Sequence, residues 1–251
     1  MVIKENIWIT PFETERTLHI YLPDDLGEQE RLPVLYMFDG HNLFFDEDAT
    51  YGVSWGLKDY LDAHHSRLLV VGLECNHEGI ERLKEFTPYS FYEPEWGYVQ
   101  QRGKALFGWM VSELKDYIDS HYPTLPFRET TYIGGSSMGG TMALYGILVH
   151  SQYYSKAICV SPHIYPMFKA LRKDLNNYIY EGTEVYISWG GYEYDRHKTF
   201  ALATDQNLQI MRSLLKKPGV DVLPHVFKND DHSERAWRKE LPVWMKELHI
   251  G

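Results

Sequence analysis

The chain has 251 residues, 44% of them hydrophobic and 24% charged, enough to bury a sizeable core without disulfide or metal staples. A formal net charge of −10 repels phosphate backbones, and no dense Lys/Arg cluster reverses it locally, so nucleic acid is not an expected partner. No stretch approaches the roughly 18 uninterrupted apolar residues of a spanning helix, and the opening MVIKENIWITPFETE lacks the apolar segment of a signal peptide, so the expectation is a cytoplasmic protein with no membrane partner.

Taken in chain order, residues 6–13 and 16–23 show partial alternation and carry β-branched and aromatic residues, which predicts an antiparallel strand pair. The polar stretch 24–31 follows as a loop. Residues 32–38, 68–75, 130–133, 156–160, 184–189 and 220–227 are short apolar runs that suit strands buried on both faces of a parallel sheet. Between them, residues 103–121, 138–150, 204–216 and 232–249 carry helical periodicity. The fold class is therefore α/β: a mostly parallel central sheet, an N-terminal antiparallel pair and helices on both faces. Pro224 inside the last run points to an edge strand or bulge. Cys75 and Cys159 each end an apolar run and read as buried hydrophobes rather than a bridge. No repeat or linker interrupts residues 1–251, so one domain is expected. Residues 76–102 read as a ring-rich loop insertion near the site, with Phe86, Tyr89, Phe91, Tyr92, Trp96 and Tyr98.

Chemistry concentrates at Gly135-Ser136-Ser137-Met138-Gly139, a G-x-S-x-G pattern with an apolar strand running in and a helix running out. That setting is a nucleophile elbow, which lifts Ser137 to the C-terminal edge of the sheet of an α/β-hydrolase fold. The Met138 N–H, one residue past the serine, is the natural first oxyanion donor. A serine needs a base to take its proton. Among 12 histidines, His232 stands out because it follows the last strand and opens the final helix. An acid between them in the chain should orient the imidazole, and Glu193 and Asp195 both fit by position. The second oxyanion donor is expected from Gly40, His41 or Asn42, in the loop after the third strand. Tyr92, Trp96 and Tyr192 are candidate pocket rings.

These segments together resemble the Putative esterase family of α/β-hydrolases, which includes the esterase D-like, enterochelin and feruloyl or acetyl esterases. The likeness rests on Val34–Phe44 with its Asp-Gly-His-Asn-Leu-Phe, on Phe86-Thr87-Pro88, on Glu113–Tyr122, on the Gly-Gly-Ser-Ser-Met-Gly-Gly elbow and on Asp231-His232-Ser233. His41 stands where relatives often have Gln. The resemblance implies Ser137 as nucleophile and His232 as base, and its Gly-x-x-acid segment, matched by Gly190-Gly191-Tyr192-Glu193, favours Glu193 over Asp195. It implies no metal and no organic cofactor. The expected activity is that of a serine carboxylic-ester hydrolase working through an acyl-enzyme on a small, aryl or carbohydrate-linked ester. The alternatives are a thioesterase, a siderophore esterase or a hydrolase-fold protein that binds a ligand without turning it over.

Overall fold

The structure, a computed structural model, describes residues 1–193 and 197–251, and for residues 197–200 the backbone alone. β1 (Val2–Ile9) and β2 (Thr14–Tyr21) pair antiparallel, with Ile9 opposite Thr14. Both strands lie nearer the N-terminus than the alternation predicts, because Thr10–Phe12 form a 3-10 turn closed by Glu13 at φ 51. Pro11 has no N–H for a ladder and suits the first turn of a helix, so the reversal falls on it.

The rest of the main sheet comprises β3 (Val34–Phe38), β4 (Leu69–Leu73), β7 (Thr131–Ser136), β8 (Lys156–Val160), β9 (Thr183–Gly190) and β10 (Val220–Phe227). Among the described residues it has eight strands in the order β1-β2-β4-β3-β7-β8-β9-β10, all parallel from β4 onward. The predicted apolar runs coincide with these strands. β10 is the sheet's edge, where Pro224 leaves no interior ladder bond unmade.

The helices are α1 (Leu57–Ala63), α2 (Glu81–Glu85), α3 (Gly103–Trp109), α4 (Lys115–His121), α5 (Met138–His150), α6 (Phe168–Asp174), α7 (His197–Leu214) and α8 (Glu234–Glu247). They cover both faces. Strand β3 makes the two layers visible through its period of two. Val34, Tyr36 and Phe38 pack with Leu106, Phe107 and Leu144 of α3 and α5, while Leu35 and Met37 pack with Leu61 of α1 and with Leu241 and Trp244 of α8. Helix α5 is buried from Met138 to Leu148, which explains its all-round apolar sequence. The expected helix 103–121 is continuous but carries a wider π turn at Met110–Leu114 between α3 and α4. Nothing in its periodicity marks that turn.

The segment 76–102 departs from the expected irregular loop. It holds α2 and a small hairpin of β5 (Phe91–Glu93) and β6 (Gly97–Val99). The hairpin sets Phe91 opposite Val99, both buried, and Tyr92 opposite Tyr98, both exposed. Cross-strand pairs thus fall on two faces, one buried and one exposed.

Candidate active site

Strand β7 runs directly into Ser137 and α5 begins one residue later. Ser137 has φ 55 and ψ −121, a region that costs a non-glycine residue about 1–3 kcal/mol unless its surroundings hold it there. Backbone bonds do so. The Ser137 N–H donates to the Val160 carbonyl at 3.0 Å, and the Ser137 carbonyl accepts from the Thr141 and His163 N–H groups at 3.0 and 3.1 Å. The flanking glycines permit the turn by close approach. A Cβ on Gly135 would lie 2.7 Å from the Gly139 carbonyl carbon, and one on Gly140 would lie 2.7 Å from the Val160 oxygen. Met138 opens α5, so its N–H is among those without an intrahelical partner.

Ser137 and His232 line one cleft of about 440 Å³, together with His41, Asn42, Arg82 and Trp237. No hydrogen bond joins the two side chains among the described residues, as is common before a substrate draws such groups together. The other ring nitrogen of His232 is engaged: Nδ1 lies 3.2 Å from Glu193 Oε2. The Glu193 side chain is 1% exposed and that of His232 37%, so a buried carboxylate meets an imidazole open to the cleft. Glu193 Oε1 accepts from the Gly190 N–H and the Ser161 hydroxyl. Ser161 in turn accepts from Trp237 Nε1 at 3.0 Å, and the Trp237 ring stands edge-on to His232 at 5.1 Å. Glu193 reaches this position because Gly190, the last residue of β9, and Gly191 after it are pressed against the chain leading to His232. A Cβ on Gly190 would sit 2.3 Å from the Asp230 oxygen, and one on Gly191 2.2 Å from the Lys228 oxygen. Asp195, the other expected acid, lies outside the described residues.

A second buried carboxyl stands behind this group. Burial pushes Glu240 up to about 8, against the hydrogen bonds from Ser188 and Tyr186 and helped by the charges of Glu193 and Asp230. It is therefore mostly neutral at pH 7 and keeps a second negative charge away from Glu193.

Across the cleft, Asp39 at φ 58 turns the chain out of β3 into a 3-10 turn of Gly40, His41 and Asn42. Gly40 packs so tightly on β4 that a Cβ would lie 2.3 Å from the Gly72 oxygen. Of the expected donors here, the Asn42 N–H is already engaged by the Asp39 carbonyl at 2.9 Å. Asp39 receives a two-pronged contact from Arg82 of α2, at 2.7 and 2.6 Å. Burial alone would raise the Asp39 carboxyl, but the adjacent guanidinium outweighs it and holds the group below the ordinary carboxylate range.

The candidate pocket rings need correction. Neither Tyr92, Trp96 nor Tyr192 is among the residues lining the cleft. Tyr92 and Tyr192 are 70% and 67% exposed, and Trp96 instead faces His163, with ring centroids 6.3 Å apart. Hairpin pairing turns Tyr92 to solvent, which ring content alone does not reveal. Tyr51 and Trp237 line the cleft in their place, with Arg82 and Glu234. Trp237 was accessible from its spacing, because it lies five residues past His232 on the final amphipathic helix. Arg82 had no such signal. His163, whose backbone binds Ser137, is also new to the site: burial lowers it to about 4, assisted by His232 and Arg82, and its Nε2 is buried without a partner among the described residues.

The fold is that of the α/β-hydrolase class. Residues 9–248 match the Putative esterase family, so the chain belongs to that family and is a serine esterase. The structure is similar to an IroE-like serine hydrolase from Shewanella oneidensis, with a TM-score of 0.80 and 15% identity over 99% of this chain and 80% of that one. It is also similar to siderophore hydrolase EstA from Aspergillus nidulans (TM-score 0.74, 14% identity, 98% and 94% covered). S-formylglutathione hydrolase FrmB from Staphylococcus aureus is similar too (TM-score 0.67, 16% identity, 99% and 96% covered). At these identities the likeness is one of fold. No curated protein sequence matches the chain. Among the described residues no helix is long and apolar enough to cross a membrane.

Proposed function

We propose that the protein hydrolyses a small carboxylic ester through an acyl-enzyme on Ser137, with His232 as base and Glu193 as the acid that orients it. The observation that carries this reading is the shared cleft. A serine at a strained strand-to-helix turn faces a histidine whose far nitrogen meets a buried carboxylate. In the first step His232 Nε2 takes the Ser137 proton as Oγ adds to the ester carbonyl. The Met138 N–H and the His41 N–H of the opposite turn hold the resulting oxyanion. The carbon–oxygen bond to the alcohol then breaks and His232 returns the proton to the leaving oxygen. In the second step His232 takes a proton from water as its oxygen adds to the acyl carbon, the bond from that carbon to Ser137 Oγ then breaks, and His232 returns the proton to Oγ, which releases the acid and restores the serine.

The net charge of −10 favours a small-molecule partner over nucleic acid. The rings of Tyr51 and Trp237 at the cleft suit an aryl or carbohydrate-linked ester. A siderophore ester is the second reading, supported by the similarity to a siderophore hydrolase.

Intact-mass labelling with a fluorophosphonate tests the core of the proposal. Wild type should gain a single adduct that Ser137→Ala lacks, and Ser137→Ala should lose ester hydrolysis while keeping its melting temperature. A folded wild type that takes no adduct would overturn it. Aryl acetates, thioesters and a catecholate trilactone, compared on the labelled-competent protein, then rank the substrate classes.

A further inference from the structure

Three side chains that no step of this reaction uses come together beside the turn carrying His41. One ligand atom from each of His41, Cys75 and His77 lies within 4.8 Å of the other two. His41 is 4% exposed, its Nε2 is 2.9 Å from the Thr50 hydroxyl, and its Nδ1 is buried with no partner among the described residues. An unsatisfied buried ring nitrogen costs about 1–3 kcal/mol, a cost that coordination to a cation would remove. Cys75 is a buried free thiol. His77 is half-exposed, and its Nε2 lies 2.7 Å from Glu74 Oε1, while the other oxygen of Glu74 meets His19 Nε2 at 2.9 Å. The two rings of His41 and His77 stand at 78° with centroids 4.6 Å apart.

Both imidazoles are arranged as ligating imidazoles usually are. An acceptor on one nitrogen fixes the proton there and leaves the lone pair of the other free, and a carboxylate is the commonest such partner. Glu74 does this for His77 and Thr50 does it for His41, which leaves Nδ1 of each ring available. Two imidazoles and a thiolate suit a cation of borderline softness, whereas Mg2+ and Ca2+ require oxygen ligands.

We propose that His41 Nδ1, Cys75 Sγ and His77 Nδ1 form a binding site for a Zn2+-class cation, with a fourth position open to solvent. Tetrahedral ligation needs ligand separations of roughly 3.3–3.8 Å, so donors now within 4.8 Å of one another must draw together by about 1 Å. The exposed His77 side chain supplies that movement. Binding forms the bonds to two nitrogens and one sulfur and releases the Cys75 proton to solvent, with no redox step. Because Cys75 and His77 lie between β4 and α2, the cation ties the segment that carries Arg82 to the turn that carries His41. It is not a metal of the ester chemistry, and its test does not depend on that chemistry.

The experiment is a titration of chelator-treated full-length protein with Co2+, followed by absorbance, with Zn2+ then added as competitor. Wild type should take up one equivalent, with a thiolate-to-cobalt charge-transfer band and the strong visible bands of a four-coordinate ion, and one equivalent of Zn2+ should erase them. His77→Ala, at an exposed position, should fold as wild type and bind Co2+ at least tenfold more weakly. Cys75→Ser should lose the charge-transfer band. Absence of that band in folded wild type, or an undiminished band and affinity in His77→Ala, would overturn the proposal.

Discussion

On the β7–α5 side of the cleft Ser137 is fixed mainly by backbone, with the Thr141 hydroxyl as a further donor to its carbonyl at 3.2 Å. Its own N–H and carbonyl make three backbone hydrogen bonds, and glycines let strand and helix approach. On the β9–β10 side, the position of His232 depends on side chains from separate segments. Glu193 follows β9, Ser161 follows β8, and Trp237 lies in α8. The first arrangement is local and rigid: a side chain added at Gly135 or Gly140 strains it, and few side chains take part in it. The second is a chain of hydrogen bonds in which each member positions the next, so its failures should be graded. The contrast separates two ways of building one site and predicts different responses to substitution.

The largest effect is expected where the side-chain relay meets the imidazole. Under the proposed mechanism Glu193→Gln keeps the shape but removes the charge that stabilises the imidazolium and selects its tautomer. Its kcat should fall about 10⁴-fold with KM little changed, less than the roughly 10⁶-fold loss expected for His232→Ala. Steady-state kinetics on an activated ester would check both. A loss below about tenfold in Glu193→Gln would break the comparison, because His232 would then be held by something other than this acid.

A smaller effect, of a different kind, is expected on the backbone-held side. In Gly135→Ala the new methyl meets the Gly139 carbonyl carbon at 2.7 Å, and backbone cannot swing aside as a side chain can. The substitution should destabilise by about 1–3 kcal/mol, a fall in Tm of roughly 2–10 °C for a chain of this size, and should lower kcat through the displaced serine. Thermal melting together with fluorophosphonate labelling rate reads both consequences. Unchanged melting with a slowed label would mean that the turn yields without strain.

The same contrast explains what could be read from the chain without coordinates. The strand runs, the edge position of Pro224 and the elbow were legible because each is contiguous: period-two alternation, a missing N–H and a glycine-flanked serine are properties of neighbouring residues. The place of His232 in the cleft beside Ser137 was legible by chain order. The Trp237–Ser161–Glu193 relay was not, because Ser161 is an ordinary serine until β8 and β9 bring it against Glu193. The inward and outward faces of the 91–99 hairpin were hidden for a related reason: ring content says nothing about register, and register decided that Tyr92 points to solvent. Arg82 gave no signal because its role follows from Asp39, 43 residues away in sequence.

The relay itself can be tested at its least obvious member. Ser161 has φ 46, and its hydroxyl both donates to Glu193 and accepts from Trp237 Nε1. Ser161→Ala keeps a Cβ in that conformation, so it changes no backbone preference and removes only the two hydrogen bonds. Glu193 then loses one of its donors and the buried Trp237 N–H loses its acceptor, each worth about 1 kcal/mol. If the relay positions His232, kcat should fall about five- to tenfold at unchanged KM, close to what 1 kcal/mol gives. Trp237→Phe retains a ring beside His232 and leaves the Ser161–Glu193 bond in place, so its effect on kcat should be smaller. A Ser161→Ala protein that melts lower than wild type but keeps full kcat would reduce Ser161 to a packing residue. The acid side would then rest on Glu193 alone, and its dependence on remote side chains would be as shallow as that of the serine side.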